Sequence, residues 1–508
     1  MIVMLRRRPF LLVGLLLTIL LIAFQRSEVI NEDTLKHIPG HDTIKNLPGK
    51  VSDQWEQTFG PGSDKAKSQY LEKPLENAHK LKHPDAFLPH FDAVARMPGL
   101  TLKEAEAGCT WSREEKINFQ YGYTTDFAVN RRNDSEISQR RAALHDFVKR
   151  GMVPWSAAKD KFKGRGIVTL GGNEEGKTFK RMLVALNELR RVGSQLPVEV
   201  HHWGDELSDE NRELILSNYP NTYFHDLAGP DNVIKIWKHM MPNFQFKIAA
   251  MLNSRFAEPF LLDSDNLALF DPEELYESDT YKEYGTIFWP DIARTLPMNP
   301  IWPITNTKCR MDEYEQESGQ LLIDKRKFWY HLQLALYYLD KDDDRLYYAR
   351  IILGDKDAFR FAWHALKTKY GFPTKWLSSV GIVREDGEYC GHSFAQYHPD
   401  KSDGRPAFFH GGLLKSFTKP FVSHLHQNKG LFQYYKASPN PTNHSANPTE
   451  IQIGVMGAKS VPGEEEGAKV AFCTRFNDVE PRPLDEIAPG FEKHFQDIKG
   501  YWIILDVD

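Results

Sequence analysis

Between residues 166 and 263, apolar runs of strand length alternate with segments whose apolar residues recur at helical spacing. The strand-like runs GIVTL, PVEVHHW and NTYFHDL lie at 166–170, 197–203 and 221–227, and PFLLD ends a fourth at Asp263. Helical patterns at 178–192, 205–219 and 244–256 separate them. Because this alternation is typical of β-α-β units, it predicts an α/β fold whose parallel sheet is covered by helices on both faces.

Length and charge narrow the class of protein. The chain has 508 residues, 41% hydrophobic and 26% charged, which is an ordinary globular composition with enough material for one large or two medium domains. A formal net charge of −5 gives no basic excess, so we expect no nucleic-acid partner. Four widely separated cysteines have no zinc-site spacing, and they allow three connectivities if all of them pair in an oxidising compartment.

The first 26 residues predict a membrane anchor. Three arginines precede an apolar run from Pro9 to Phe24. Sixteen residues make about 24 Å of helix, which is short for a hydrocarbon core of about 30 Å and favours early secretory membranes. The arginines predict a cytosolic tail at 1–8, a signal-anchor at 9–24 and a lumenal remainder. The alternative is a cleaved signal peptide, although Gln25 and Arg26 follow the run where a cleavage site would have small residues.

The lumenal part divides into three segments by composition. Residues 25–150 are largely polar and rich in Pro and Gly, which predicts a stem, with one helical stretch at 134–150. Residues 151–430 form the predicted catalytic domain, in which 328–339 and 355–370 add further helices. Residues 431–508 are loop-rich, and we expect this extension to pack on the catalytic domain.

Two carboxylates follow the fourth strand directly. Asp263 and Asp265 are separated by one residue at the carboxyl end of a buried run, where open α/β sheets bind ligands. Carboxylates at such a position need a cation or hydrogen-bond donors, and oxygen ligands select Mg²⁺ or Mn²⁺. The alternative is a simple Asx-turn after the strand.

Three later stretches carry polar residues of similar chemistry. ESGQLLIDKRKFW (317–329) is interpreted as a polar turn before an apolar segment, and GDKDAFRFAW (354–363) begins a helix with charges at its N-terminus. FFHGGLLK (408–415) places His410 and Lys415 in one short turn, where an imidazole can complete a Mn²⁺ shell and the lysine supplies a point charge. A surface-loop histidine and acidic partners of a helix dipole are the alternatives.

Together these stretches resemble a known family, the fungal Mnn-type α-mannosyltransferases of glycosyltransferase family 71. The resemblance runs in the family's order from about 164 to 415, in GRGIVTLGG, LPVEVHHWGDE, FLLDSDNLALFDPEELYES, GTIFWPD, NPIWPI, ESGQLLIDK, GDKDAFRFAW and CGH. It implies a GT-A-like fold with a single Rossmann-type sheet and a D-x-D motif. It also implies a type II Golgi membrane protein that transfers mannose from GDP-mannose, with retention, to a mannose-terminated glycan. The stretches are most similar to the α-1,2 subset, and α-1,3 transfer remains an alternative.

The resemblance also assigns roles to individual residues. Asp265 and Asp263 would be the D-x-D pair that binds Mn²⁺ or another divalent cation, with His410 as the third ligand. Lys415 would contact the donor diphosphate, and Gly171 would lie in the turn near the nucleotide. Glu317 and Asp355 are the candidates beside the anomeric carbon, with Asp357 third.

Three further features have two interpretations each. Trp289 and Trp302 would line a sugar site or belong to the core, and Cys390-Gly391-His392 would supply a disulfide partner or an active-site imidazole. LGGNEEGKTF (170–179) spells the phosphate-loop pattern, which favours a lumenal transferase such as a sulfotransferase. The pattern has only four specified positions, and two glutamates lie where its amides would face phosphate, so we interpret it as coincidence. A structural lumenal protein with a degenerate transferase fold is the third class.

Overall fold

The computed structural model describes residues 77–110, 126–172, 177–239, 243–310, 312–340, 347–352, 354–401, 403–437, 451–476 and 479–505. The predicted tail and anchor, and residues 25–76 of the predicted stem, lie outside this set. Among the described residues, none of the helices combines the length and the apolar character that a membrane span requires.

The described strands and the α-helices of more than four residues are labelled in chain order. The strands are β1 Arg165–Leu170, β2 Val198–His202, β3 Thr222–Asp226, β4 Glu258–Leu262, β5 Asn266–Ala268, β6 Thr286–Pro290, β7 Gln316–Ile323, β8 Ser378–Val383, β9 Tyr389–Tyr397, β10 Pro406–His410, β11 Tyr434–Ala437, β12 Ile451–Gly457, β13 Lys469–Phe476 and β14 Arg482–Pro483. The helices are α1 Leu88–Ala95, α2 Leu102–Glu106, α3 Asp134–Asp146, α4 Lys177–Arg191, α5 Asp209–Asn218, α6 Gln245–Asn253, α7 Asp279–Tyr284, α8 Lys325–Asp340, α9 Lys356–Ala365, α10 Lys419–Asn428 and α11 Phe491–Asp497.

The first sheet has the strand order β3-β2-β1-β4-β7-β6. Strands β1 to β4 are parallel to their neighbours within that group, and β7 pairs antiparallel with both β4 and β6. The predicted mixture of strands and helices is confirmed, and the observed bounds lie close to the expected ones. The polar turn expected from 317 is wrong, because Glu317 lies inside the fully buried strand β7.

Successive residues of these strands pack into different cores, which confirms that helices cover both faces. Ile167 packs in the cluster that contains Leu183 of α4, whereas Val168 packs in the cluster that contains Leu252 of α6 and Leu332 of α8. This alternation follows from the two-residue period of a strand. The chain therefore buries apolar side chains on both sides of the central strands. The polar side chains of the candidate site described below lie at the ends of these strands.

A second, antiparallel sheet corrects the expectation of a single sheet. Its order is β12-β13-β9-β8-β11-β14, and β10 pairs with β9 on one side and with β5 on the other. β5 begins one residue after Asp265, so β10 joins the second sheet to the turn that follows β4. Residues beyond 431 contribute β11 to β14. The alternation of helices and strands did not predict this sheet, because its strands are antiparallel and the pairings β9-β13, β8-β11 and β10-β5 join segments far apart in the chain.

The four cysteines form two disulfides, and the structure selects one of the three connectivities. Cys109 pairs with Cys309, and Cys390 pairs with Cys473. The first bond joins the segment after α2 to the loop before β7. The second joins β9 to β13, so one interpretation of Cys390-Gly391-His392, a disulfide partner, is confirmed.

Candidate functional site

The candidate site begins with two carboxylates at the end of β4. The backbone N–H of Asp263 donates to the Gly319 carbonyl at 2.8 Å, and the Asn266 N–H donates to the Asp263 carbonyl at 3.1 Å. These bonds fix a tight turn between β4 and β5. As the sequence predicted, Asp263 and Asp265 lie at the carboxyl edge of the parallel strands.

His410 reaches the same place from the second sheet. It ends β10, where it is in register with Asn266 of β5, and the Gly411 N–H donates to the Asp265 carbonyl at 3.1 Å. One ligand atom from each of Asp263, Asp265 and His410 lies within 4.8 Å of the other two. The structure therefore brings together the three residues that the resemblance assigned to the cation.

The donor set fits a hard divalent cation. Neither carboxylate oxygen of Asp265 receives a well-directed hydrogen bond from a residue that the structure describes, although both are buried. Its contacts are ion pairs instead, with His410 Nε2 at 3.5 Å and Lys415 Nζ at 2.5 Å. Two carboxylates and one imidazole, with unsatisfied buried oxygens, are ligands suited to Mn²⁺ or Mg²⁺.

Electrostatics keep this cluster ionised. Burial alone would raise the pKa of the Asp265 carboxyl, but the charges of His410 and Lys415 outweigh it and hold that pKa well below its usual range. Burial likewise disfavours the His410 imidazolium, yet Glu317 and Asp265 raise its pKa well above the usual value. A metal ion bound by His410 would replace the proton on its imidazole ring. The carboxylates of Asp265 and Glu317, which now stabilise that proton's charge, would then lie near the metal ion.

Glu317 lies on the opposite side of His410 from Asp265. Its Oε2 is 3.2 Å from His410 Nδ1, and its Oε1 accepts backbone hydrogen bonds from Ser318 at 2.8 Å and Gly319 at 3.1 Å. Burial opposes ionisation, but the charge and hydrogen bond of His410 lower the pKa of Glu317 to about 2. This carboxylate is therefore fixed in position and stays charged.

Gly319 allows this close approach of β7 to the turn. A Cβ atom at this position would lie 3.0 Å from Asn266 Nδ2 and 3.1 Å from the His410 ring. Those distances are too short for a normal contact, so a side chain here would push His410 away from Asp265.

Lys247 belongs to the site and was missed from the sequence. Its Nζ lies 2.9 Å from Asp263 Oδ2 and 3.4 Å from Asp355 Oδ2, and it donates to Ser318 Oγ at 3.3 Å. A signal was present, because FQFKIAAML places one lysine in an otherwise apolar helical run. Asp355, which precedes α9, thereby shares Lys247 with Asp263 of the D-x-D pair.

Asp357 lies elsewhere. Its carboxylate accepts from the Gln316 N–H at 3.2 Å and pairs with Arg360 at 2.7 Å, on the far side of the first turn of α9. The next residue back, Lys356, is held by Asp291 at 2.5 Å and Glu315 at 2.9 Å. This arrangement supports an ion-pair role for Asp357 at the base of α9, away from the cation ligands.

The remaining candidates are structural in their visible contacts. Gly171 directly follows β1, and a Cβ there would lie 2.6 Å from Val200 Cγ1, so its visible role is packing against β2. Residues 173–176 and the Lys177 side chain lie outside the described residues. Trp289 and Trp302 are each 1% exposed, which supports their assignment to the core. His392 is buried, its Nε2 is 2.8 Å from the Leu431 carbonyl, and burial lowers its pKa to about 4.

Comparison with known proteins gives one family. Residues 164–306 and 301–398 match the model of the family described as "Mannosyltransferase putative". MNN23, an α-1,2-mannosyltransferase of Candida albicans, is 28% identical over 283 residues, covering 46% of each chain. MNN24 of the same organism is 24% identical over 397 residues, covering 64% of this chain and 53% of its own. The α-1,2-mannosyltransferase MNN2 of Saccharomyces cerevisiae is 26% identical, covering 40% of this chain and 39% of its own. This chain spans about half the length of the curated relatives it matches.

Solved glycosyltransferase structures are similar only at a distance. The galactosyltransferase LgtC, solved with donor and acceptor sugar analogues, is 14% identical with a TM-score of 0.28, covering 41% of this chain and 73% of its own. Core-mannan synthase A of Aspergillus fumigatus, in a Mn/GDP form, is 10% identical with a TM-score of 0.26, covering 41% of this chain and 72% of its own. Likenesses this distant carry no residue-level inference.

Proposed function

We propose that this chain, which belongs to the mannosyltransferase family that its residues 164–306 and 301–398 match, transfers mannose from GDP-mannose to a mannose-terminated glycan. One observation carries the proposal: Asp263, Asp265 and His410 converge, with Lys415 beside them, at the carboxyl edge of a parallel sheet. A nucleotide diphosphate needs such a combination of cation ligands and a fixed positive charge.

The cation ligands have a defined task in this proposal. Asp263, Asp265 and His410 would hold a divalent cation, Mn²⁺ in our proposal, which when bound supplies positive charge for the departing diphosphate. Lys415 adds a second positive charge from the turn after β10. Its side chain is 42% exposed, so it can leave Asp265 and reach a phosphate.

Glu317 and Asp355 would face the donor sugar. Glu317 is held in place by the Ser318 and Gly319 backbone amides and by His410. A fixed carboxylate of this kind suits electrostatic stabilisation of positive charge at the anomeric carbon. Asp355 Oδ2 has no well-directed hydrogen bond among the described residues and lies 3.4 Å from Lys247 Nζ, so this carboxylate could accept a hydrogen bond from a sugar or acceptor hydroxyl.

Linkage and location complete the proposal. The α-1,2-mannosyltransferases to which the chain is similar favour α-1,2 transfer. We propose that the transfer retains the α configuration of the mannose. The arginine-flanked apolar run at 9–24 supports a single-pass type II protein of the Golgi membrane with a lumenal catalytic domain. The acceptor would then be a mannan or glycoprotein glycan that meets the enzyme in the lumen.

The substrate can be tested with the purified full chain. It is incubated with Mn²⁺, a short α-mannoside acceptor and, in separate reactions, GDP-mannose, GDP-fucose, UDP-glucose or UDP-galactose. We expect transfer from GDP-mannose alone and an α-1,2 bond in the product by linkage analysis. Transfer from a UDP-sugar would contradict the donor assignment, and an α-1,3 bond would contradict the linkage.

A further inference from the structure

A cavity of about 430 Å³ lies beside β6, at the free edge of the first sheet. Seven of its lining residues are Phe, Tyr or Trp: Tyr284, Phe288, Trp289, Tyr314, Trp363, Tyr370 and Phe372. Its volume is within the usual range of small-molecule sites, which are mostly apolar with a few placed polar groups. This cavity is distinct from the cluster around Asp265.

Two buried residues on the cavity wall have unsatisfied polar atoms. Both amide atoms of Gln316 and the indole Nε1 of Trp363 are without a hydrogen-bond partner among the described residues. Gln316 is 2% exposed and Trp363 is fully buried. Because buried polar groups in folded proteins are nearly always paired, these atoms indicate that a ligand or bound solvent supplies their partners.

The charged side chains on the wall, other than the exposed Lys369, are already held by ion pairs or hydrogen bonds. Arg310 pairs with Asp312 at 2.9 Å, and Arg360 pairs with Glu313 at 3.2 Å. The Lys367 ammonium is occupied by the Thr305 and Asn306 carbonyls, at 2.9 and 2.6 Å. An anionic or cationic ligand would have to break such pairs, so the wall favours a neutral ligand. Aromatic walls together with amide and indole donors suit a sugar ring, which has apolar faces and hydroxyl edges.

The cavity is joined to the candidate site through two elements. Gln316 and Glu317 are adjacent on β7, and adjacent strand residues face opposite sides. The Gln316 N–H donates to Asp357, in the same helical turn that brings Asp355 to Lys247. A glycan that presents one hydroxyl near Asp355 would therefore meet the start of α9, the helix whose later residues Arg360 and Trp363 line the cavity.

We propose that this cavity binds a mannosyl unit of the acceptor glycan away from the hydroxyl that receives the sugar. The proposal rests on the proposed function for the identity of the glycan. Gln316 supplies the polar contacts and the aromatic residues contact the apolar ring faces.

Binding of α-1,6-mannotriose to the full chain, without donor, tests the proposal by isothermal titration calorimetry. Gln316→Met removes the amide at nearly constant volume. We expect mannotriose to bind about tenfold or more weakly to this variant, with Tm unchanged or raised, because no protein hydrogen bond is lost. Gln333→Met is the matched control: this buried amide pairs with Val153 at 2.7 and 3.0 Å, so Tm should fall while binding is kept.

The outcomes separate this proposal from the proposed function. No binding by the native chain, equal binding by Gln316→Met, or a Tm loss like that of Gln333→Met would overturn the cavity assignment. If mannotriose binding depends on Gln316 but no mannose is transferred from GDP-mannose, the cavity assignment stands and the proposed function fails. If mannose is transferred and Gln316→Met binds mannotriose normally, the proposed function stands and the cavity assignment fails.

Discussion

Lys247 and Asp263 form an ion pair of 2.9 Å that joins the first turn of α6 to the end of β4. The same ammonium lies 3.4 Å from Asp355, so the Lys247 side chain contacts two carboxylates that are far apart in the chain. Burial disfavours the charged lysine, but the two carboxylates outweigh it and raise the pKa of Lys247 above its usual value. Lys247 therefore acts as a positioning residue for the donor side of the site.

Lys247→Met should remove most of the activity. Without the ammonium, Asp263 and Asp355 are left as neighbouring unpaired carboxylates, and breaking a buried pair on one side costs about 3–5 kcal/mol. Because Lys247 keeps some exposure, we expect a loss of about 2 kcal/mol in the free energy of unfolding and at least about 100-fold in kcat. Urea unfolding and initial rates measure these effects. Lys247→Arg should recover part of both, and a Met variant within about threefold of native kcat would contradict this role.

Gly319→Ala should weaken cation binding more than it weakens the fold. The added methyl group would meet Asn266 and His410 at 3.0–3.1 Å, and such overpacking costs about 1–3 kcal/mol. Displacement of His410 should raise the Kd for Mn²⁺ about tenfold, measured by electron paramagnetic resonance of free Mn²⁺. Gly457→Ala, whose Cβ would meet nothing closer than 3.6 Å, is the control and should leave that Kd unchanged. Equal Kd values for both variants would show that Gly319 does not set the position of His410.

His392 should make stability fall with acidification. Burial lowers its folded pKa from 6.5 to about 4, so between these values the unfolded chain binds the extra proton. The contribution of neutral His392 to the free energy of unfolding is fully present above pH 6.5 and is lost as the pH falls towards 4. Between pH 7 and pH 5 this lowers the free energy of unfolding by about 2 kcal/mol. His392→Gln should reduce the pH dependence of the urea unfolding free energy by that amount. The same pH dependence in native and variant chains would contradict the assignment.

The four parallel strands of the first sheet could be predicted because they alternate locally with helices, whereas its antiparallel strands β6 and β7 were not predicted. Asp263 and Asp265 were found for the same reason, since they end a buried parallel strand. The second sheet could not be predicted, because β9 pairs with β13 and β10 with β5 across long stretches of chain. The approach of His410 to Asp265 depends on that pairing, so only the family resemblance anticipated it.

Two errors at the site have physical causes. ESGQ consists of polar and small residues and was interpreted as a turn, yet Glu317 is buried in β7 because backbone amides and His410 satisfy its carboxylate. Lys247 was overlooked because residues 244–256 were interpreted only as a helix of the β-α-β alternation. A charged residue in an apolar run requires a partner, and here the partners are the carboxylates of the site.

The central claim is that the Asp263, Asp265 and His410 cluster supports cation-dependent mannosyl transfer. The most direct measurement compares radiolabelled mannose transfer from GDP-mannose, with Mn²⁺ and with EDTA, by the native chain, Asp265→Asn and Lys177→Ala. We predict that EDTA and Asp265→Asn each lower the rate by about 100-fold or more, a size typical for loss of a main electrostatic contact, whereas Lys177→Ala stays within about threefold of native. Transfer that persists in EDTA and in Asp265→Asn, or that disappears only in Lys177→Ala, would contradict the account.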